Sequence, residues 1–244
     1  MRYVASSGEL VFDIYLFRLA LGSIVSRMAF NRLLVLMAVA AICCNSVSAD
    51  PDLLQDVCVA DLTSTIKVNG YPCKEQVTPD DFFFAGLAVP GVINTTMGSA
   101  VTPASVMKLP GLNALGISMA RIDYAGGGLN PPHLHPRASE LAYVLEGELE
   151  MGFITTKDVL ISKVCKKGEM FVFPKALVHY QKNNQKSPAS LLVAFNSQFP
   201  GTQPIAPTLF GATPPVPDSV LSMAFQVDTP VVTNIKGKFV KKAS

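Results

Sequence analysis

Between residues 116 and 195 the apolar and β-branched residues come in short runs separated by turn formers. The runs at 117–124, 141–145, 148–154, 170–173 and 190–195 have the length and content of strands. The breaks Ala125-Gly126-Gly127-Gly128, Glu146-Gly147, Lys167-Gly168 and Asn183-Asn184 supply residues suited to tight or left-handed backbone. This pattern predicts an all-β domain, an antiparallel sandwich or barrel. Helical spacing follows toward the C-terminus. Pro217-Asp218-Ser219 can open a helix with Val220, Leu221, Ala224 and Phe225 on one side, and Asp228-Thr229-Pro230 another with Val231, Val232 and Ile235. Residues 50–105 read as loop-rich, with one short helix starting near Thr78-Pro79-Asp80-Asp81.

A different apolar pattern occupies the N-terminus. Arg27 and Arg32 precede an unbroken apolar run over residues 33–44, and Val47-Ser48-Ala49 then offers small residues for signal-peptidase cleavage. The run is shorter than the roughly 20 residues a bilayer requires, so it predicts a leader cleaved near Ala49 and release into the secretory lumen, without a membrane anchor in the mature chain. The alternative is an uncleaved anchor. A second apolar stretch over residues 11–25, interrupted by Asp13 and Arg18, is unusual for a leader and points to Met28 as the true start.

Composition sharpens this. Charged residues make up only 16% of the chain, against about 25% in an average soluble domain, which suggests a surface covered in part by other subunits. Loss of residues 1–49 leaves 16 basic and 16 acidic residues and no basic run longer than a pair, which excludes an electrostatic footprint for nucleic acid. The mature chain keeps Cys58, Cys73 and Cys165. In an oxidising compartment Cys58 and Cys73 read as a disulfide pair, the alternative being two unrelated buried thiols, and Cys165 reads as a small apolar filler on a strand. Asn94-Thr95-Thr96 is an N-glycosylation sequon.

The chemistry is concentrated in two segments, Gly127-x5-His133-x-His135-x4-Glu140-x6-Gly147 and Gly168-x5-Pro174-x-Ala176-x2-His179-x3-Asn183, which hold all three histidines of the chain. In an extended segment His133 and His135 point to one face. Glu140 differs from them in parity, so a turn at Pro136-Arg137-Ala138-Ser139 must intervene, after which Ala142 and Val144 face inward beside it. His179 arrives from the second segment. A lone histidine is most simply a satisfied core or surface residue; three of them in this spacing with a carboxylate predict a metal site. Three imidazoles and one carboxylate suit Mn, Fe, Co, Ni, Cu or Zn rather than Ca or Mg, and leave positions open on a six-coordinate ion. Asn130, a common loop residue, has by itself no assigned chemistry.

These segments resemble the paired motifs of the cupins, and three further stretches narrow the resemblance to plant germin-like proteins: Gln55-Asp56-Val57-Cys58-Val59-Ala60-Asp61-Leu62, Asn130-Pro131-Pro132-His133-Leu134-His135-Pro136-Arg137, and Ala194-Phe195-Asn196-Ser197-Gln198. The resemblance runs from about residue 50 to 239. It implies a cupin-type antiparallel β-barrel (jelly roll) with short C-terminal helices, and manganese held by His133, His135, Glu140 and His179. It also implies a Cys58–Cys73 disulfide, an apoplastic location and a hexamer built as a trimer of dimers. The expected organisation is a leader over 1–49, a disulfide-stapled extension over 50–105, the barrel over 106–212 and C-terminal helices over 213–244.

Two positions depart from the family. Ala176 stands where the second motif usually has glycine. Ala120 stands where germins that oxidise oxalate carry an asparagine, which they use with a second one, matched here by Asn130, to hold that substrate. An alanine methyl offers a carboxylate no hydrogen bond. The resemblance therefore implies superoxide dismutase activity on a small-molecule substrate, with Asn130 a candidate donor behind the ligands. The alternatives are oxalate oxidase, or a non-catalytic wall or receptor protein with a structural metal. Nucleotide-sugar pyrophosphatase activity, also raised by the resemblance, has no phosphate-binding glycine loop or basic pocket to support it.

Overall fold

Alternation of buried and exposed side chains along the strands builds two facing sheets. The computed structural model describes residues 55–68 and 70–239. The expected leader and the start at Met28 lie outside the described residues. Among them are ten strands: β1 (Ser99–Ala104), β2 (Ser118–Tyr124), β3 (Leu129–Leu134), β4 (Glu140–Glu146), β5 (Glu148–Ile154), β6 (Leu160–Lys166), β7 (Met170–Phe173), β8 (His179–Lys182), β9 (Ala189–Phe195) and β10 (Gln203–Pro204). They form two five-stranded sheets of order β1-β2-β9-β4-β7 and β10-β3-β8-β5-β6. Every pairing is antiparallel. Side chains from both sheets meet in one core that includes Tyr124, Val144, Leu149, Met151, Phe173 and Leu191. Burying each large apolar side chain contributes on the order of 2 kcal/mol, so packing between the sheets, more than strand propensity, holds the barrel together.

The five strands read from hydrophobic runs are all present, as β2, β4, β5, β7 and β9. Five more were not read from the pattern. β1 falls within the segment expected to be loop-rich, yet it pairs with β2 from Ser99 to Ala104. It contains Pro103, which reads as a breaker but is tolerated because β1 is an edge strand. The two expected C-terminal helices are α2 (Asp218–Phe225) and α3 (Thr229–Gly237), preceded by an additional turn-and-a-half, α1 (Ile205–Phe210). The short helix expected near Thr78 is a 3-10 turn, Pro79–Phe82, closed by a capping box between Thr78 and Asp81. Ahead of the barrel Cys58 and Cys73 form a disulfide, and an isolated bridge joins Ala60 to Cys73.

The outer face of the first sheet carries Met119, Leu141, Tyr143, Met170 and Val172, each 40–61% exposed. That is the physical counterpart of the low charge content, because the apolar residues are not all spent on the core.

Candidate metal centre

Three strands and one loop bring the metal-binding residues together. β3 and β8 pair with Asn130 opposite Gln181 and His133 opposite His179. The step is three residues on β3 and two on β8, so β3 carries one extra residue at Pro131-Pro132. This bulge turns Asn130 and His133, which opposite parity would place on different faces, toward the same interior. Proline suits the position because it has no N–H to leave unpaired in the interrupted ladder. His135 follows the end of β3, and the turn at Pro136-Arg137 resets the parity so that Glu140 enters β4 facing inward, with Ala142 and Val144 fully buried beside it. The second segment reaches His179 through a turn in which Ala176 adopts φ +62°. The turn is kept although glycine is the usual residue there, at a cost on the order of 1 kcal/mol.

One ligand atom from each of His133, His135, Glu140 and His179 lies within 4.8 Å of the other three, and all four residues are at most 5% exposed. Each imidazole is fixed through Nδ1 by a backbone carbonyl: His133 by Pro131 (2.8 Å), His179 by Leu177 (2.9 Å) and His135 by Gly201. A carbonyl only accepts, so all three rings carry their proton on Nδ1 and turn the Nε2 lone pair inward. His135 Nε2 and His179 Nε2 then stand 2.9 and 3.3 Å from Glu140 Oε2, acceptor against acceptor. A second proton on each ring or a cation among them must resolve this contact. The ring centroids are only 4.2–5.3 Å apart, so protonating all three would crowd like charges in a buried space, whereas one divalent ion satisfies every lone pair at once. The donor set therefore fits a transition-metal ion. Phe173 stacks on His179 and Phe195 packs edge-on against His135, giving the rings apolar walls.

Electrostatics of the metal-free site point the same way. Burial brings the His133 imidazole down to about 4, helped by the neighbouring His179 and opposed by the Pro131 carbonyl and Glu140. Burial works to raise the Glu140 carboxyl; His135 and His179 outweigh it and hold it at about 2 only when they face it protonated, a role that a bound cation takes over. For His133 the unfolded chain takes up a proton below about 6.5 while the folded site does not. The group is thus without effect on stability above that pH and destabilises the fold progressively as pH falls toward 4, by about 3 kcal/mol in all. Thermal melting of the metal-free protein between pH 7 and pH 4 reads this loss, and a level profile would contradict it.

Two residues that the spacing did not single out complete the centre. Gln181, fully buried, donates from Nε2 to Glu140 Oε1 at 3.0 Å, and the Arg137 backbone N–H and Nε bind the carbonyls of Pro200 and Phe199, fixing the loop that carries Gly201. For Gln181 a signal was available, since it lies two residues after His179 on a strand and shares its inward face; Gly201 left none. A cavity of about 100 Å³ opens onto His133, His135 and Glu140, with Ala120, Ile122, Val193 and Phe195 forming apolar wall and Asn130, Ser105 and Thr202 the polar part. No lysine or arginine lines it.

Comparison with known proteins agrees with this geometry. A cupin family model matches residues 85–233. The chain is 61% identical over 199 residues to germin-like protein subfamily 2 member 1 of Arabidopsis thaliana, covering 81% of this chain and 91% of that one. Among solved structures it is similar to a recombinant oxalate oxidase in complex with glycolate, at 46% identity and TM-score 0.76 over 78% of this chain and 98% of the other. It also resembles Peruvianin-I, described as a cysteine peptidase from Thevetia peruviana latex, at 36% identity and TM-score 0.61 over 64% and 98%. With a barrel of two antiparallel sheets, a buried three-histidine, one-glutamate centre and these relatives, the chain belongs to the cupin family and, within it, to the germin-like proteins.

Proposed function

We propose that the protein is a secreted, manganese-dependent germin-like oxidoreductase that dismutes superoxide. The observation that carries this reading is a site with four inward-facing donors that opens into a cavity of about 100 Å³ without a cationic side chain. His133, His135, Glu140 and His179 would hold the ion. Bound manganese supplies one-electron redox chemistry by alternating between its divalent and trivalent states, one superoxide being oxidised to oxygen and a second reduced to hydrogen peroxide. The chain's own part is to fix the donors, keep the pocket narrow and admit a small anion. The Nδ1 protons are committed to carbonyls, so the two protons that peroxide requires come from solvent. Asn130 borders the cavity and is a candidate donor toward the site.

Oxalate oxidase is the second reading, favoured by the likeness to an oxalate oxidase of known structure. Against it stands Ala120, whose buried methyl forms cavity wall where a dicarboxylate would want a donor. A non-catalytic wall or receptor protein with a structural metal is the third. A cysteine peptidase has little to build on among the described residues. Cys58 and Cys73 are joined, Cys165 is buried with its thiol pushed up by burial, and all three imidazoles are drawn into the metal centre.

Three further proposals accompany the reading. The disulfide supports an extracellular, apoplastic location, and no helix among the described residues is long and apolar enough to cross a membrane. Asn94 is exposed, as glycosylation of the sequon requires. The apolar outer face of the first sheet supports assembly with further copies of the chain, as in the hexamer that the resemblance implies.

Elemental analysis beside stopped-flow superoxide decay tests the function. The purified protein is expected to carry manganese and accelerate decay, to lose both on chelation and to regain both with Mn(II). Peroxide release on adding oxalate would transfer the assignment to oxalate oxidase. Chelation that lowers the melting temperature of a protein inert in both assays would leave the structural reading.

A further inference from the structure

We infer that Asn130 and Gln181 form a two-amide relay that holds the Glu140 carboxylate in its metal-binding orientation, and that Asn130 acts through Gln181. The inference rests on the metal-centre reading above.

Glu140 has two oxygens with different surroundings. Oε2 faces His135 and His179, while Oε1 accepts from Gln181 Nε2 at 3.0 Å. A carboxylate without a proton offers no donor, so the Gln181 amide must present its NH2 to Oε1 and its oxygen away from it. That oxygen accepts from Asn130 Nδ2 at 2.8 Å, so the Asn130 amide is oriented in turn. The direction of both amides, ordinarily ambiguous, is dictated by the charge at the inner end of the chain.

The register explains why the relay exists. Asn130 and Gln181 are direct partners across β3 and β8, one step from the His133–His179 pair, and the bulge at Pro131-Pro132 keeps both pairs facing inward. Without Asn130 the Gln181 oxygen loses its donor, and the amide is held only at its inner end, by Oε1, and can tilt away from the line to Glu140. Without Gln181 a buried carboxylate oxygen loses a charge-assisted hydrogen bond and Glu140 is free to rotate. Partners of this kind, one shell behind the ligands, typically govern 10- to 100-fold of metal affinity.

The test is a double-substitution cycle read by metal binding. Apo protein is titrated with Mn(II), and the bound ion is examined by electron paramagnetic resonance, with circular dichroism as the check on folding. Gln181→Met, which keeps length and removes the amide, is expected to weaken Mn(II) binding 10- to 100-fold and to change the zero-field splitting of the bound ion. Asn130→Ala is expected to weaken binding less. The double variant is expected to match Gln181→Met alone, because the outer residue has no independent route to the ion. If Gln181→Met fails to fold, Gln181→Leu replaces it, with the same weakening expected because it too removes the donor to Oε1. Unchanged affinity in the Gln181 variant that folds, or an Asn130 effect that multiplies in full on the Gln181→Met background, overturns the relay while leaving the metal centre standing. A parent protein that binds no divalent transition metal overturns both.

Discussion

Replacing His133 by alanine is expected to lower manganese affinity by more than about 100-fold and to reduce superoxide decay to the uncatalysed rate. Loss of an outer partner of a metal ligand already costs about 10- to 100-fold, and His133 is a donor itself. The three remaining donors cannot close over the gap, because each ring is pinned by its own carbonyl and Glu140 by Gln181. The same substitution should leave the fold intact. It removes an imidazole that is costly to protonate in its buried site and orphans one carbonyl, that of Pro131, a net effect of about 1 kcal/mol. Metal content, decay rate and melting temperature on one preparation separate the outcomes. Full manganese occupancy in the folded variant would remove His133 from the ligand set and with it the proposed chemistry.

Gly128→Ala is expected to cost about 3 kcal/mol or more, a drop on the order of 10 °C in melting temperature, although it adds a single methyl. A Cβ at this position would lie 2.2 Å from the Gly98 carbonyl oxygen and 2.9 Å from that of Ala125. Both obstacles are backbone, and both carbonyls are in use: Gly98 accepts from Ala125 N–H and Ala125 accepts from Gly128 N–H. Relief requires moving the chain at the junction between the start of β1 and the entry to β3, the strand that delivers Asn130 and His133. Metal affinity should fall along with the stability of the metal-free protein, whereas His133→Ala loses the first and only about 1 kcal/mol of the second. Gly127 is the internal control. It has φ +75°, but a methyl there would meet nothing within 4 Å, so an alanine should cost only the strain of its backbone, about 1 kcal/mol. Equal melting temperatures for the Gly127 and Gly128 variants would contradict the steric argument.

Much of the barrel was legible because its strands carry apolar runs, continuous on β4 and β7 since the outer face of the first sheet is apolar as well as the inner one. β2, β4, β5, β7 and β9 were read for that reason. β3 and β8 escaped because they carry the chemistry: Pro131, Pro132 and His133 interrupt the pattern on one, and His179, Gln181 and Lys182 on the other. β6 escaped because Ser162, Lys163 and Lys166 break up its apolar residues. The ligand set was legible since the chain has no other histidine to offer. What oriented the ligands was not. Gly201 lies 66 residues from the ring it fixes, and the Asn130–Gln181–Glu140 chain joins three strands.

By itself, then, the order of residues determined which side chains reach the centre and what kind of ion suits them, because donor chemistry belongs to residue types and the spacing within a strand or turn is local. Only the tertiary structure decided the protonated nitrogen of each ring, the free oxygen of the carboxylate and the size of the space in front of them. Those depend on carbonyls, amides and methyl groups drawn from distant parts of the chain, and nothing in local sequence encodes which of them will meet once the two sheets have packed.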